Sequence, residues 1–156
     1  MDNHSEFYSV KLIVASDTVG VQRLRQLVPM LPNAVRSKGD KVSERSTLRN
    51  KKHRLIYTPQ ASGARDLASA IESLLRELDP VRDQISALPL SVEAWLYCVV
   101  DISSDLSRFS FSLHRDLLSR IAALGLRLDV VAYLRTGANA LDGRVKPGHD
   151  NDNEAR

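Results

Sequence analysis

From Val92 to Ile102 the chain alternates in a way that only an extended strand can use. Val92, Ala94, Leu96, Cys98, Val100 and Ile102 fall on one side, and Glu93, Trp95, Tyr97, Val99 and Asp101 on the other. Toward its centre both sides are apolar. Such a strand belongs inside a sheet, covered on both faces or flanking a helix layer.

The flanking segments supply the partners. Phe7 to Ala15 alternates with Tyr8, Val10, Leu12 and Val14 on one face, and predicts a first strand. Asp17 or Thr18 is placed to cap a helix carrying Val21, Leu24, Leu27 and Val28, which Pro29 and Pro32 end. A polar connection runs from Asn33 to about His53. Arg54 to Thr58 predicts a short second strand, stopped by Pro59. Ser62 is placed to cap the clearest helix, Ala64 to Leu78, with its stripe of Leu67, Ile71, Leu74, Leu75 and Leu78. Asp79-Pro80 restarts it, with Asp79 as cap, and Val81, Ile85 and Leu88 continue the stripe. Arg108 to Ser112 reads as a short strand or bridge. Ser112 then caps a last helix through Leu117, Leu118, Ile121 and Leu124, which Gly125 closes. Leu126 to Leu134 is the final strand. The order is β-α-β-α-β-β-α-β. It predicts an α+β fold of the ferredoxin-like sandwich type, with a mixed sheet and helices packed mainly on one face.

A chain of 156 residues has room for one such core. Residues 7–134 are expected to form one domain, with 33–53 as a mobile basic loop. Residues 1–6 and 135–156 are expected to be disordered: from Thr136 on, Gly, Pro, Asn and Asp dominate. Cys98 is the only cysteine, which excludes an internal disulfide and any multi-thiolate metal site. The start of the chain does not read as a secretory signal, and no apolar run approaches the ~20 residues a membrane helix needs. A cytoplasmic location is expected.

The order of these pieces resembles the bacterial family of uncharacterised proteins catalogued as domain of unknown function 4279. The resemblance covers about Phe7 to Leu134. It is carried by the first strand, the Lys38-Gly39-Asp40 turn after a Pro-ended helix, and the Leu67–Leu78 helix running into Asp79-Pro80. The Leu96–Asp101 strand and the closing run Leu124-Gly125-Leu126-Arg127-Leu128-Asp129-Val130 into Tyr133 complete it. Where the family has a Trp-containing strand after the Lys-Gly turn, this chain has His53-Arg54-Leu55-Ile56-Tyr57, so no role of that Trp carries over. The resemblance implies a fold and no established activity. The segment Ala140–Asp150 is similar to a peptide that a dispersed genomic repeat places at the ends of many unrelated bacterial reading frames, which implies no function for the domain.

Chemistry-bearing residues are sparse. Between Arg36 and Arg54 lie eight cations (Arg36, Lys38, Lys41, Arg45, Arg49, Lys51, Lys52, Arg54) and two acids, a local balance of +6 in a chain of +3, so the remainder carries −3. Such an excess suits phosphate contacts, or is a solvated loop; with no aromatic before Tyr57, base stacking is not supported. His4, His53, His114 and His149 form no close pair, so no metal is expected. No Gly-rich phosphate loop occurs, and no cofactor is expected. Cys98 alternates inward and reads as packing. Asp129 lies between Leu128 and Val130; should it meet Asp101 on a neighbouring strand, the two would shift each other's pKa as a catalytic dyad does. The alternative is an Asp paired with Arg127 or a helix arginine. Trp95 and Tyr97 form a binding patch if no helix covers them, and core if one does; core is the plainer reading.

Three readings follow. The first is a non-catalytic binding or protein-interaction module, with an immunity-like role compatible with a small domain of this kind. Its surface would be the Trp95/Tyr97 face, the Arg36–Arg54 segment, or both. The second is nucleic-acid or phosphate-ligand binding through Arg36, Lys38, Arg49, Lys51, Lys52 and Arg54. The third is an enzyme using Asp129. A protein partner is expected first and nucleic acid second, with no membrane; the oligomeric state is open.

Overall fold

A computed structural model describes residues 7–60, 64–103 and 110–135. Of the expected disordered ends 1–6 and 135–156, Arg135 closes β5 and the rest lies outside the described residues. So do Ser62 and two residues of the expected strand at Arg108–Ser112.

Five strands form one mixed sheet in the order β2-β3-β1-β4-β5. They are β1 (Phe7–Ser16), β2 (Ala34–Arg36), β3 (His53–Tyr57), β4 (Glu93–Ser103) and β5 (Arg127–Arg135). The two longest, β1 and β4, lie side by side, and all neighbours are antiparallel except β4 and β5. The two halves of the chain close differently. The first returns beside β1 as an antiparallel strand, while the second makes a parallel β-α-β crossover through α4 (Arg115–Ala123).

Helices α1 (Val21–Leu27), α2 (Leu67–Leu78), α3 (Arg82–Ser86) and α4 share one core with the sheet. Val10, Leu12 and Val14 of β1, Leu55 and Tyr57 of β3, and Leu96, Cys98 and Val100 of β4 meet Leu67, Ile71, Leu74, Leu75 and Leu78 of α2 there. These three strands thus spend alternate residues on the helices. The fold is α+β with a mixed sheet, as the element order implies. Among the described residues no helix is long and apolar enough to cross a membrane.

Helix ends differ in detail from the sequence expectation. Gly20 is the N-cap of α1, and neither Asp17 nor Thr18 caps the helix; the buried Ser16 instead orders the turn that leads into it. Its Oγ accepts the N–H groups of Thr18 (3.2 Å) and Val19 (3.0 Å) and donates to the Ser91 carbonyl (2.7 Å), tying the end of β1 to the approach to β4. α2 begins at Leu67 rather than Ala64, since Asp66 caps it by accepting the Ser69 N–H at 2.7 Å. That bond holds the Asp66 carboxyl below its ordinary pKa. Asp79 caps nothing with its side chain. The chain instead passes through one 3-10 turn, Asp79–Val81, around Pro80 into α3. His114, not Ser112, caps α4, its Nδ1 accepting from Leu117 N–H at 3.3 Å. Ser110 to Ser112 are not in a strand. Gly125, at φ +67°, closes α4 as expected: its N–H reaches Ala122 O and that of Leu126 reaches Ile121 O, a Schellman pair.

The segment 33–53 is not featureless. β2 lies within it, paired to β3 at the sheet edge, and a bridge joins Lys41 to Arg49 beyond the Gly39 turn. Three residues are too few for periodicity to reveal a strand, and only Val35 of β2 packs on the core. One prediction arises here. Asp66→Ala should cost about 1 kcal/mol by exposing an uncapped helix end. A urea midpoint unchanged from the parent chain would show that α2 does not depend on this cap.

Candidate functional site

The face of the sheet away from the helices carries most of the candidate residues. Its layout follows from register. Ile56, Ile13, Trp95 and Arg127 form one row across β3, β1, β4 and β5. The next row is Lys11, Tyr97 and Asp129, followed by Ser9, Val99 and Val131, then Asp101 and Tyr133. On the other side of the Ile13 row lie Arg36, Arg54, Ala15 and Glu93.

Ile13, Ala15 and Trp95 form a small buried cluster of their own, with Ile56 and Tyr97 packed against it. Among the described residues no helix side chain joins it. Trp95 is therefore neither helix-covered core nor an open patch. It is only 8% exposed, yet its cover is made by neighbours on the same face. The Arg127 guanidinium lies 4.9 Å from the ring centroid, a cation–π contact. Arg127 also donates from Nε (2.9 Å) and Nη2 (3.0 Å) to the two oxygens of Asp129, which holds the guanidinium more firmly protonated than usual. Tyr97 is half-buried. Desolvation, the neighbouring Tyr133 hydroxyl and the Asp129 charge push its pKa up. Tyr133 itself is 52% exposed.

This geometry bears on catalysis. Both Asp129 oxygens are held by one arginine, in the way expected of a strand-face ion pair. Asp101 sits opposite Tyr133, four residues along β5 from Asp129. At ~3.3 Å per residue that is roughly 13 Å, too far for a carboxylate dyad. Cys98 is on the helix face, fully buried, its thiol pushed up to about 12 by burial and by the Asp129 charge. His53 accepts the Lys38 N–H through Nδ1, and His114 is used by Leu117 and by Glu72, 2.9 Å away. His4 and His149 lie outside the described residues. Among the described residues no three His, Cys, Asp or Glu side chains are grouped to hold a metal. A hollow of 130 Å³ between α2, α3 and α4, lined by Asp79, Arg82, Asp83 and Arg120, is well below the ~300 Å³ of ordinary ligand pockets.

The basic candidates divide into two groups. Lys38 donates through Nζ to the Asp17 carbonyl (3.1 Å), Arg49 to the Gly39 carbonyl (2.6 Å), and Lys52 pairs with Glu93 (2.8 Å). Their charges brace the segment 36–54 against itself and against β4. Arg36 and Arg54 stand directly opposite each other on β2 and β3, and Lys51 is exposed; none of the three has an acidic partner among the described residues. Structure also adds residues that sequence reasoning left out of the candidate set: Lys11, Ile13, Arg127, Val131 and Tyr133. Their alternation was visible in each strand, but only the register places them on one surface.

Residues 5–135 match the family described as Domain of unknown function (DUF4279). The chain belongs to this family. The match spans the whole described sheet and every helix, so the open face is part of the DUF4279 domain itself. Comparison with curated proteins and with solved structures gives no match.

Proposed function

We propose that this DUF4279 domain is a non-catalytic binding module in the cytoplasm that grips a protein partner with an acidic surface through the open face of its sheet. One observation carries the reading. Among the described residues helices cover one face only, and the other presents Tyr97, Val99, Val131 and Tyr133 around the covered Trp95, beside a surplus of positive charge. Among the described side chains, five cations (Lys11, Arg36, Lys52, Arg54, Arg127) stand there against three acids (Glu93, Asp101, Asp129), a balance of +2. Aromatic and arginine side chains at the centre of a patch are the residues that dominate binding energy at interfaces. Complementary charge at its rim speeds encounter with an acidic partner.

The nucleic-acid reading is supported less well. Three of its six basic residues are already occupied within the domain, and Trp95 is too covered to stack on a base. Catalysis at Asp129 finds no support in its closed pairing with Arg127.

The test is capture from nuclease-treated native extract by the wild-type chain and two variants. Tyr97→Glu puts a charge in the middle of the open face; Leu118→Glu puts one on the exposed side of α4. We expect one stoichiometric protein with an acidic surface, lost at least tenfold with Tyr97→Glu and kept with Leu118→Glu, both variants remaining folded by circular dichroism. Equal capture by all three chains, or capture abolished by nuclease, would overturn the reading.

A further inference from the structure

Arg36 and Arg54 are cross-strand neighbours at the β2–β3 edge, both on the open face. Like charges directly opposite on paired strands repel, and such pairs are normally relieved by an acid nearby. Here none is in place: Glu93, at the far end of the same row, is taken by Lys52 at 2.8 Å, and neither arginine forms an ion pair among the described residues. A second observation points the same way. The Arg54 Nε is buried from solvent and meets no acceptor. An unpaired buried donor costs free energy, which a turn of the side chain toward an anion on the open face would relieve.

We propose that Arg36 and Arg54 form an oxyanion site that takes a dianionic phosphoryl group displayed by the protein partner. This rests on the open face being the binding surface, and names the group that anchors there. Two arginines directly opposite in register offer more donors than one carboxylate can accept, and a phosphoryl group has three terminal oxygens to share between them. It also carries close to two negative charges, which cancels the pair, whereas a carboxylate would leave one cation uncompensated. Arg is suited to this planar recognition in a way that Lys is not.

The probe is inorganic phosphate, titrated at pH 7.5 and constant ionic strength into the full chain, with the arginine Nε–H signals followed by NMR. The Arg36 and Arg54 signals should shift together and saturate, while that of Arg82 on α3 stays put. Arg54→Gln and Arg36→Gln should each weaken phosphate at least tenfold. Arg36→Gln should also raise the melting temperature without phosphate, because it removes the repulsion; a variant that failed to fold would lower it. Acetate acting at the same concentration as phosphate, or shifts that never saturate, would overturn the site. A short single-stranded oligonucleotide binding more tightly than phosphate would overturn it in favour of a nucleic-acid backbone. Loss of the phosphate effect while Tyr97→Glu still abolishes partner capture would remove the oxyanion site and leave the binding face standing.

Discussion

Leu96→Ala should cost about 3–5 kcal/mol, the upper range for emptying a leucine site in a packed core. Leu96 is fully buried in the middle of β4, with Leu12 opposite it on β1 and Leu128 opposite it on β5. The strands on both sides are fixed by ladder hydrogen bonds, and α2 closes the site from above through the same core. Little can move in to fill the space, so the cavity term adds to the lost transfer energy. The same change at Leu118, on the exposed side of α4, should stay within about 0.5 kcal/mol. Urea unfolding of both variants checks this, read as midpoint shifts at constant slope. A Leu96→Ala penalty no larger than that of Leu118→Ala would mean that β4 is not the centre of the fold.

Native Cys98 should react with a thiol reagent at least about a thousandfold more slowly than the same residue in urea at pH 8. Its thiol is pushed from 9.0 up to about 12, chiefly by burial, so the reactive thiolate is about three orders of magnitude scarcer in the folded chain. Closed access adds to the factor. The same shift sets a pH dependence. The thiol is neutral when protonated, and the fold disfavours its charged form. Above about pH 9 the unfolded chain releases the proton while the folded chain keeps it. The folded pKa is raised, so the contribution to stability is whole below pH 9 and drains away up to about pH 12, by about 1.4 kcal/mol per pH unit. Tyr57, fully buried beneath α1 and raised by burial from 10.0 to about 12, adds a second loss of the same sign from pH 10 upward. Cys98→Ala should flatten the first part of this alkaline decline. A native labelling rate within tenfold of the unfolded one would place Cys98 at the surface.

The fold was legible wherever a segment was long enough to repeat itself. β1, α2 and β4 each bury a full stripe, and their periods identify them; β5 alternates as clearly but is only partly buried, at Leu128 and Val130. β2 was not legible, because three residues with one buried side chain have no period. Cap residues were misassigned at all four helices for a common reason. Ser, Asp and Thr near a helix start all look alike in sequence, while the choice depends on which one the turn aims at the free N–H groups; at α4 a histidine ring took the role. The candidate face was half legible. Trp95 and Tyr97 stood out within their own strand. That Arg127 would cover Trp95, and that Arg36 would meet Arg54, depends on how strands pair, and pairing is a property of two segments at once. The Asp101–Asp129 dyad failed on the same ground: a parallel register set four residues out of step cannot be read from either strand alone.

The one-sided covering of the sheet divides the chain's freedom to change. In β4, Leu96, Cys98 and Val100 answer to the helices, and substitutions there are paid in stability. Tyr97 and Val99, interleaved with them, lie on the outer face and are only partly buried. Lineages carrying this domain can therefore rewrite the outer letters beyond the Trp95 cluster while the intervening letters hold the architecture still. Drift in such a family should run with a period of two along β1, β4 and β5, with the variable positions all falling on one surface.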